Sequence, residues 1–334
     1  MKPTRTIAAL LCTVGITTLA AFARQPSFEV PSWLFPTSSP DYRSSIRASD
    51  TSLHTLPGST RGFTGRQISD ALNPPDWHPD AHPAAPDVVM HARQEAKYAC
   101  GLCHLPDGQG RSENATVSGL PEPYFVQQIA DMRSGARSSA KEFASSARMK
   151  EIALAATDAE IAAAAKYFAS IRPRKQYTVR ESSVVPKSYQ AGGLYAVRPG
   201  NETEPLGDRM LEISDDIERH EMRDPGETFT VYVQPGTLAK GQRIALDAAT
   251  TSPTRCAQCH GEDLRGLAAI KPGQPGQPAP PIAGRSPFYM LRQLAGFRTK
   301  SRNGATSTPM QSVAAALSLD EMIAAVAYVG SRTP

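Results

Sequence analysis

Two pentapeptides of this 334-residue sequence combine two thiols with an imidazole at the same spacing, CGLCH at residues 100–104 and CAQCH at residues 256–260. In the pattern Cys-x-x-Cys-His, both sulfurs lie on one turn of backbone, where they can add to the vinyl groups of a haem. The imidazole that follows approaches the iron from the same side. The pattern therefore predicts two covalently bound haem c groups, with thioether bonds at Cys100, Cys103, Cys256 and Cys259 and iron ligands at His104 and His260.

Two other kinds of site use paired cysteines. A zinc site would take the two pairs as four ligands, and a thioredoxin-like site would use one pair for redox chemistry. Neither alternative explains why a histidine directly follows each pair. The remaining cysteine, Cys12, lies in the apolar amino-terminal segment, so no thiol is left to form a disulfide in the mature chain. Haem attachment is the interpretation that accounts for every motif residue.

The sequence that follows the first motif is repeated after the second. Residues 124–129 (YFVQQI) match residues 289–294 (YMLRQL), and residues 160–170 parallel residues 321–331, so each half ends in an alanine-rich helix. Thr157 and Ser318 precede these last helices, and both are suitable N-cap residues. The repeat predicts a duplicated haem module.

Each module also contains a methionine before its last helix, Met149 in the first and Met310 in the second. A thioether could occupy the sixth coordination position of the iron, where it favours the ferrous state. The alternative is that these methionines fill the hydrophobic core, as methionines beside apolar helices often do. Their equivalent places in two modules favour ligation. Met132 is the competitor in the first module, but its counterpart, Phe297, cannot bind iron.

The order of these features resembles that of class I cytochromes c, and the duplication is similar to that of dihaem cytochromes of the c-four type. The shared order is Cys-x-x-Cys-His, a loop with Pro and Gly, an aromatic helix, a methionine, and an alanine-rich helix with a tyrosine near its end. The resemblance covers about residues 89–173 and 235–334. It implies His/Met ligation of both irons, all-helical haem domains and electron transfer in the periplasm.

The predicted fold is mainly α, with two cytochrome c-like helical haem domains at residues 89–173 and 235–334. Proline occurs 29 times, which predicts long Pro-rich loops between the helices. Residues 24–88 form a Pro-rich amino-terminal extension, which we expect to be ordered by Trp33 and Trp77 packing on the haem domains.

Residues 174–234 form an acidic connector between the two domains. Its carboxylates are expected to lie on a solvated face, and His220, which lies among them, is expected to be exposed. The alternation of branched and aromatic residues at 229–233 predicts a strand, and hence a small β element in the connector.

The first 23 residues have the pattern of a secretory signal peptide. Lys2 and Arg5 give a positive start, residues 7–22 are uncharged and mostly apolar, and a small-x-small cleavage site ends at Ala23. An uncleaved membrane anchor is the alternative, but the apolar run is shorter than the ~20 residues that a spanning helix needs. We therefore expect a periplasmic protein, cleaved near Ala23, whose association with a membrane would not use a spanning helix.

Net charge and the motifs limit the class of function. Removing Lys2 and Arg5 from the 36 basic residues leaves 34 against 32 acidic ones, which argues against a nucleic-acid partner. Irons with six protein ligands exchange electrons with little rearrangement and bind no substrate. The sequence thus predicts an electron carrier, not an enzyme with a small-molecule substrate, that links a dehydrogenase or membrane complex to a terminal acceptor. The alternatives are a haem enzyme such as a dihaem peroxidase, and a cytochrome subunit of a larger dehydrogenase complex.

Five basic residues cluster in the stretch before Met310. In one interpretation they surround an exposed haem edge and attract an anionic redox partner. In the other they pair with haem propionates or with the acidic connector. These residues are Arg285, Arg292, Arg298, Lys300 and Arg302.

Overall fold

The computed structural model describes residues 28–40, 42–247, 255–267 and 279–334. In these residues, helices surround both motifs, whereas strands build the connector and a short hairpin in the extension. The helices are α1 (Gly65–Ile68), α2 (Asp87–Met90), α3 (Cys100–His104), α4 (Glu122–Ser134), α5 (Ala144–Ala155), α6 (Asp158–Ala169), α7 (Ile217–Glu221), α8 (Thr237–Leu246), α9 (Ala257–His260), α10 (Pro287–Arg298), α11 (Thr308–Ala316) and α12 (Leu319–Ser331). The strands are β1 (Leu53–Thr55), β2 (Gly62–Thr64), β3 (Tyr177–Glu181), β4 (Val184–Pro186), β5 (Ser188–Ala191), β6 (Leu194–Val197), β7 (Thr203–Pro205), β8 (Leu211–Ser214) and β9 (Phe229–Val233).

Equivalent helices build the two modules. In each module the motif lies on a short helix, α3 or α9, which is followed by an aromatic helix, α4 or α10, and by two further helices. The last helix of each module begins with a capping box, formed by Thr157 with Glu160 in α6 and by Ser318 with Glu321 in α12. Both predicted N-caps are therefore confirmed.

The second module is closed by the crossing of α8 and α12. Gly241 faces the backbone at this crossing. A Cβ atom there would overlap the carbonyl oxygen of Ala324 and lie 2.8 Å from Cβ of Tyr328. Both residues lie on the buried part of α12. The close approach of the two helices therefore requires a residue without a side chain.

We expect Gly241→Ala to destabilise the protein. Alanine favours a helix over glycine by about 1 kcal/mol, but the added methyl group overlaps α12, and overpacking costs about 1–3 kcal/mol. The free energy of unfolding, measured by guanidinium denaturation of the haem-loaded protein, should therefore fall. Gln242→Ala, at the neighbouring exposed position of α8, is the matched control. Equal or greater stability of Gly241→Ala would contradict this crossing.

The connector folds into a five-stranded mixed sheet with the order β3-β9-β8-β6-β5. Pairing is parallel for β3 with β9 and for β6 with β8, and antiparallel for the other neighbours. The predicted strand at 229–233 is β9, in which buried and half-buried side chains alternate. The prediction of only a small β element is wrong. Strands β6 and β8 are buried on nearly every residue, so their sequences lack the alternation that identifies a strand.

One hydrophobic cluster joins this sheet to the second module. Side chains of β8 and β9, such as Leu211 and Val231, pack in the same cluster as Phe288 of α10 and Ile323 of α12. Smaller clusters fill the first module. Among the described helices, none is by itself long and apolar enough to cross a membrane, and α11 and α12 meet that test only as a pair bent by 117°.

The amino-terminal extension is held by its tryptophans, although not entirely as predicted. The Trp33 ring lies 5.8 Å from that of Phe288, so this residue packs on α10 of the second module, the predicted second haem domain. Trp77 is buried against Phe63 of the extension. Its Nε1 donates a hydrogen bond to the backbone carbonyl of Met222 at 2.8 Å. Trp77 therefore ties the extension to the connector rather than to a haem domain.

The acidic segment of the connector is not a solvated face throughout. Glu212, Asp224 and Glu227 are buried, and His220, which was expected to be exposed, has only 3% of its surface accessible. The prediction for His220 is wrong because the fold lays this segment against the first module. There His220 contacts Arg111, from the loop that follows the first motif.

Candidate haem sites

The first motif places its histidine at the end of a helical turn. Helix α3 ends at His104, and Leu105 leaves it with a φ of 63°. His104 Nδ1 donates a hydrogen bond to the backbone carbonyl of Ala115 at 2.7 Å. This bond holds the ring proton on Nδ1 and leaves the Nε2 lone pair free for a metal. Burial lowers the pKa of His104, which favours the neutral imidazole that binds iron.

A cavity of the first module opens onto this histidine. Its lining includes Cys100, Cys103, His104 and, from α5, Met149, so the structure brings the four predicted residues of this site together. The space free of protein atoms is about 1500 Å³, open solvent at the mouth included. Helices α4, α5 and α6 supply the apolar part of the lining, which includes Phe125, Ile129, Ile152, Ala153, Ile161 and Ala164.

The competing methionine lies in the same cavity. Met132, on α4, lines it together with Met149, and both side chains are half-buried in one hydrophobic cluster. Position alone therefore does not distinguish the two thioethers. The repeat does, because the counterpart of Met132 is Phe297 and that of Met149 is Met310. Met149 stays the predicted sixth ligand.

The second motif repeats the arrangement of the first. His260, the last residue of α9, donates a hydrogen bond from Nδ1 to the backbone carbonyl of Pro280 at 2.7 Å. Burial lowers the pKa of His260 as well. Met310, on α11, is half-buried and packs against the same hydrophobic cluster as Cys256. Cys259 is exposed, whereas the other three motif cysteines are half-buried.

Equivalent residues of the two modules meet at their interface. Arg137 donates to the side-chain oxygen of Gln128 at 2.9 Å and, across the interface, to that of Gln293 at 3.2 Å. Arg302, from the second module, donates to the side-chain oxygen of Gln293 in its own module at 3.3 Å and to that of Gln128 in the first module at 2.5 Å. The offset that aligns the two aromatic helices also aligns these arginines and glutamines. The repeat therefore carries a signal for this interface, although the haem motifs alone do not predict it.

Three arginines are buried at this interface. Arg285, Arg292 and Arg302 each expose 6% of their surface, and within the described residues none of them forms an ion pair. Burial lowers the pKa of both Arg285 and Arg292 to about 10. Arg292 Nη2 and Arg302 Nε have no hydrogen-bond partner among the described residues. Glu212 and Glu113 attract Arg292 from beyond ion-pair distance. Since the three buried cations form no ion pair among the described residues, a requirement for further negative charge remains.

A haem meets this requirement, because each porphyrin carries two propionate groups. Arg137 and Arg292 line the first cavity, where their guanidinium groups can pair with carboxylates bound inside it. The donor set is equally suitable, since two thiols, a neutral imidazole and a thioether share one apolar cavity. The residues of the first site therefore fit a covalently attached haem.

The buried arginines also separate the two interpretations of the basic cluster. A docking surface requires exposed charge, so that interpretation is wrong for Arg285, Arg292 and Arg302. Arg298 is half-buried and donates to the backbone carbonyl of Ala314 at 3.0 Å. Lys300 is exposed. Most residues of this basic cluster are therefore buried inside the folded protein.

Comparison with known proteins agrees with the chemistry of the second site. Residues 238–333 match the family model described as Cytochrome c. The thiosulfate dehydrogenase electron acceptor of Stutzerimonas stutzeri (strain A1501) is 41% identical over 91 residues, which are 27% of this chain and 37% of that protein. The match therefore spans little more than a third of the length of this curated relative.

Three solved structures are similar over most of the chain. Thiosulfate dehydrogenase (TsdBA) from Marichromatium purpuratum is 24% identical with a TM-score of 0.46, over 72% of this chain and 37% of that one. Cytochrome c4 of Acidithiobacillus ferrooxidans is 17% identical with a TM-score of 0.44, over 72% of this chain and 99% of that one. Cytochrome c4 of Pseudomonas stutzeri is 20% identical with a TM-score of 0.41, over 70% of this chain and 93% of that one. The second motif, its hydrogen-bonded histidine and the family match together indicate that this chain contains a cytochrome c domain at residues 238–333.

Proposed function

We propose that this chain is a periplasmic electron carrier with two covalently bound haems, which takes electrons from a dehydrogenase or membrane complex and delivers them to a terminal acceptor. The observation that carries the proposal is the position of His104 and Met149 on one cavity, because together they would supply two protein ligands to an iron held there. We assign the same roles to His260 and Met310 in the second module. His260 forms the equivalent hydrogen bond, and Met310 is the counterpart of Met149 in the repeat.

The residues around each site have separate roles. The cysteines hold the cofactor by thioether bonds, and the carbonyls of Ala115 and Pro280 hold the two imidazoles in one tautomer and orientation. When bound, haem supplies an iron that accepts and releases one electron. The apolar lining of the first cavity would keep water away from an iron held there. Arg137 and Arg292 provide positive charge for the propionates.

The class of donor follows from the curated relative. That protein is described as an electron acceptor of thiosulfate dehydrogenase, and it shares 91 aligned residues with this chain. We therefore infer that the donor is a periplasmic dehydrogenase of this kind. The compartment itself rests on the signal peptide at residues 1–23, which lies outside the described residues.

Spectroscopy of the purified, full-length protein tests the carrier function against the peroxidase alternative. We expect two electrons to be taken up per chain and returned to a high-potential acceptor, without carbon monoxide binding to the reduced protein, because histidine and methionine side chains would hold both irons and leave no site for an added ligand. Hydrogen peroxide should not be consumed catalytically. Stoichiometric carbon monoxide binding by the wild-type protein, together with peroxide turnover, would favour the haem enzyme instead.

A further inference from the structure

The connector contributes a buried histidine that the proposed haem ligation does not use. His220 Nδ1 lies 2.9 Å from both carboxylate oxygens of Glu227, which also accepts a hydrogen bond from Ser214 at 2.7 Å. On the other side of the ring, Nε2 contacts Arg111 Nη2 and lies 3.5 Å from Glu113 Oε1. His220 thus joins two carboxylates that come from different parts of the chain.

The groups in contact with His220 leave one negative charge without a partner unless the ring is protonated. Arg111 pairs with Glu113 at 2.9 Å, so Glu227 has His220 as its only ionisable partner among the described residues. A buried carboxylate without a countercharge is costly. Burial and Arg111 lower the pKa of His220, but Glu227 and Glu113 outweigh them, and this pKa is raised.

The other titratable groups near His220, on its own helix α7 and on the adjoining sheet, have partners of their own or are neutral. On the side of α7, Asp224 accepts from Arg219 at 2.5 Å, and Arg223 donates to the backbone carbonyl of Leu102 at 2.6 Å. On the side of the sheet, burial raises the pKa of the Tyr177 hydroxyl and of the Glu212 carboxyl, which favours their neutral forms. The protonation of His220 is therefore governed by Arg111, Glu113 and Glu227.

This cluster also reaches the first haem site. Glu113 lines the same cavity as Cys103 and His104, and its Oε2 has no hydrogen-bond partner among the described residues. A change of one charge inside the cavity will therefore be felt by the cluster, because a buried, low-dielectric region screens charges weakly.

We propose that His220 is a redox-linked proton-binding site, which takes up a proton from solvent when the haem attached at Cys100 and Cys103 is reduced, and releases it on oxidation. The inference rests on the proposed electron-carrier function. One electron from the donor enters the iron, and one proton from bulk water binds His220, so the added charges cancel. In the neutral state Nε2 accepts a hydrogen bond from Arg111; in the protonated state Nε2–H donates to Glu113.

The sign of the coupling follows from electrostatics. An added electron makes the cavity less positive, which raises the pKa of His220 in the reduced protein. Reduction is therefore accompanied by proton uptake between the pKa values of the oxidised and reduced states. In that range the potential of one haem falls as the pH rises, by at most about 59 mV per tenfold change in proton activity for one electron.

Potentiometric titration of the full-length, haem-loaded protein from pH 5 to 9 tests the inference. In the wild type we expect one of the two haem potentials to depend on pH. His220→Gln, whose amide can still donate to Glu227 but does not titrate, should abolish that dependence. His91→Gln, which replaces an exposed histidine close to the first motif in sequence, should retain it.

Two further measurements keep the inference testable if His220→Gln fails to fold. Proton uptake on reduction of the wild type, followed with an indicator in weak buffer, should approach one proton per chain. Glu227→Gln, which removes the main countercharge, should move the pH-dependent range to lower pH. Potentials independent of pH, no proton uptake, or a dependence that survives in His220→Gln would each overturn the inference. A protein without haem at the first motif would instead contradict the proposed function.

Discussion

A chain with Cys100→Ala and Cys103→Ala is expected to retain one covalently bound haem, half the content of the wild type. Without these sulfurs no thioether can form at the first motif, whereas the second motif, more than 150 residues further along the chain, is unchanged. Acid–acetone extraction removes haem that is not covalently bound. Absorbance of the pyridine haemochrome per chain after extraction then gives the number of attached haems.

The matched variant is Cys256→Ala with Cys259→Ala, which should also retain one haem. All four substitutions together should leave none, because Cys12 belongs to the predicted signal peptide and lies outside both motifs. Two haems that survive extraction in the first variant would show that residues 100–104 are not an attachment site.

Met149→Ala is expected to open one iron of the reduced protein to carbon monoxide. If Met149 is the sixth ligand of the first haem, its removal would leave the iron with a free coordination site in a cavity whose lining is mostly apolar. About one carbon monoxide per chain should bind, compared with none in the wild type. The weak near-infrared band of His/Met ferric haem should also fall to about half, and the two spectra measure the same loss independently.

Met132→Ala is the matched control, since Met132 lines the same cavity from a different helix. We expect it to keep the full band and to bind no carbon monoxide. If Met132→Ala loses half of the band and Met149→Ala does not, the ligand is Met132, and the equivalence of Met149 with Met310 is coincidental. Met310→Ala should reproduce the effects of Met149→Ala at the second site.

Local patterns predicted those features whose interacting atoms lie within one or two turns of backbone. The two Cys-x-x-Cys-His motifs are such features, because the thiols and the imidazole act on one cofactor from a single short helix. The capping boxes at Thr157 and Ser318 each join residues three positions apart. Strand β9 was predictable because its alternation reflects one face packed against the core.

The sheet of the connector was not predictable in the same way. Its strands pair in the order β3-β9-β8-β6-β5, so residues at the two ends of the connector become neighbours. Strands β6 and β8 are covered on both faces, which removes the alternation that would distinguish them from other apolar segments. Length and composition therefore indicated a connector but not its architecture.

The sequence alone predicts the identity of the cofactor, its attachment residues and the duplication of the module, since each depends on covalent chemistry or on a short pattern that occurs twice. The charge environment of the haem sites depends on the folded arrangement. Arg111 and His220 are 109 positions apart, yet they contact each other, and Arg292 contacts the carbonyl of Ser112 across 180 positions. The energy of a buried charge is set by the groups that surround it in space, and these come from segments whose encounter no local pattern records.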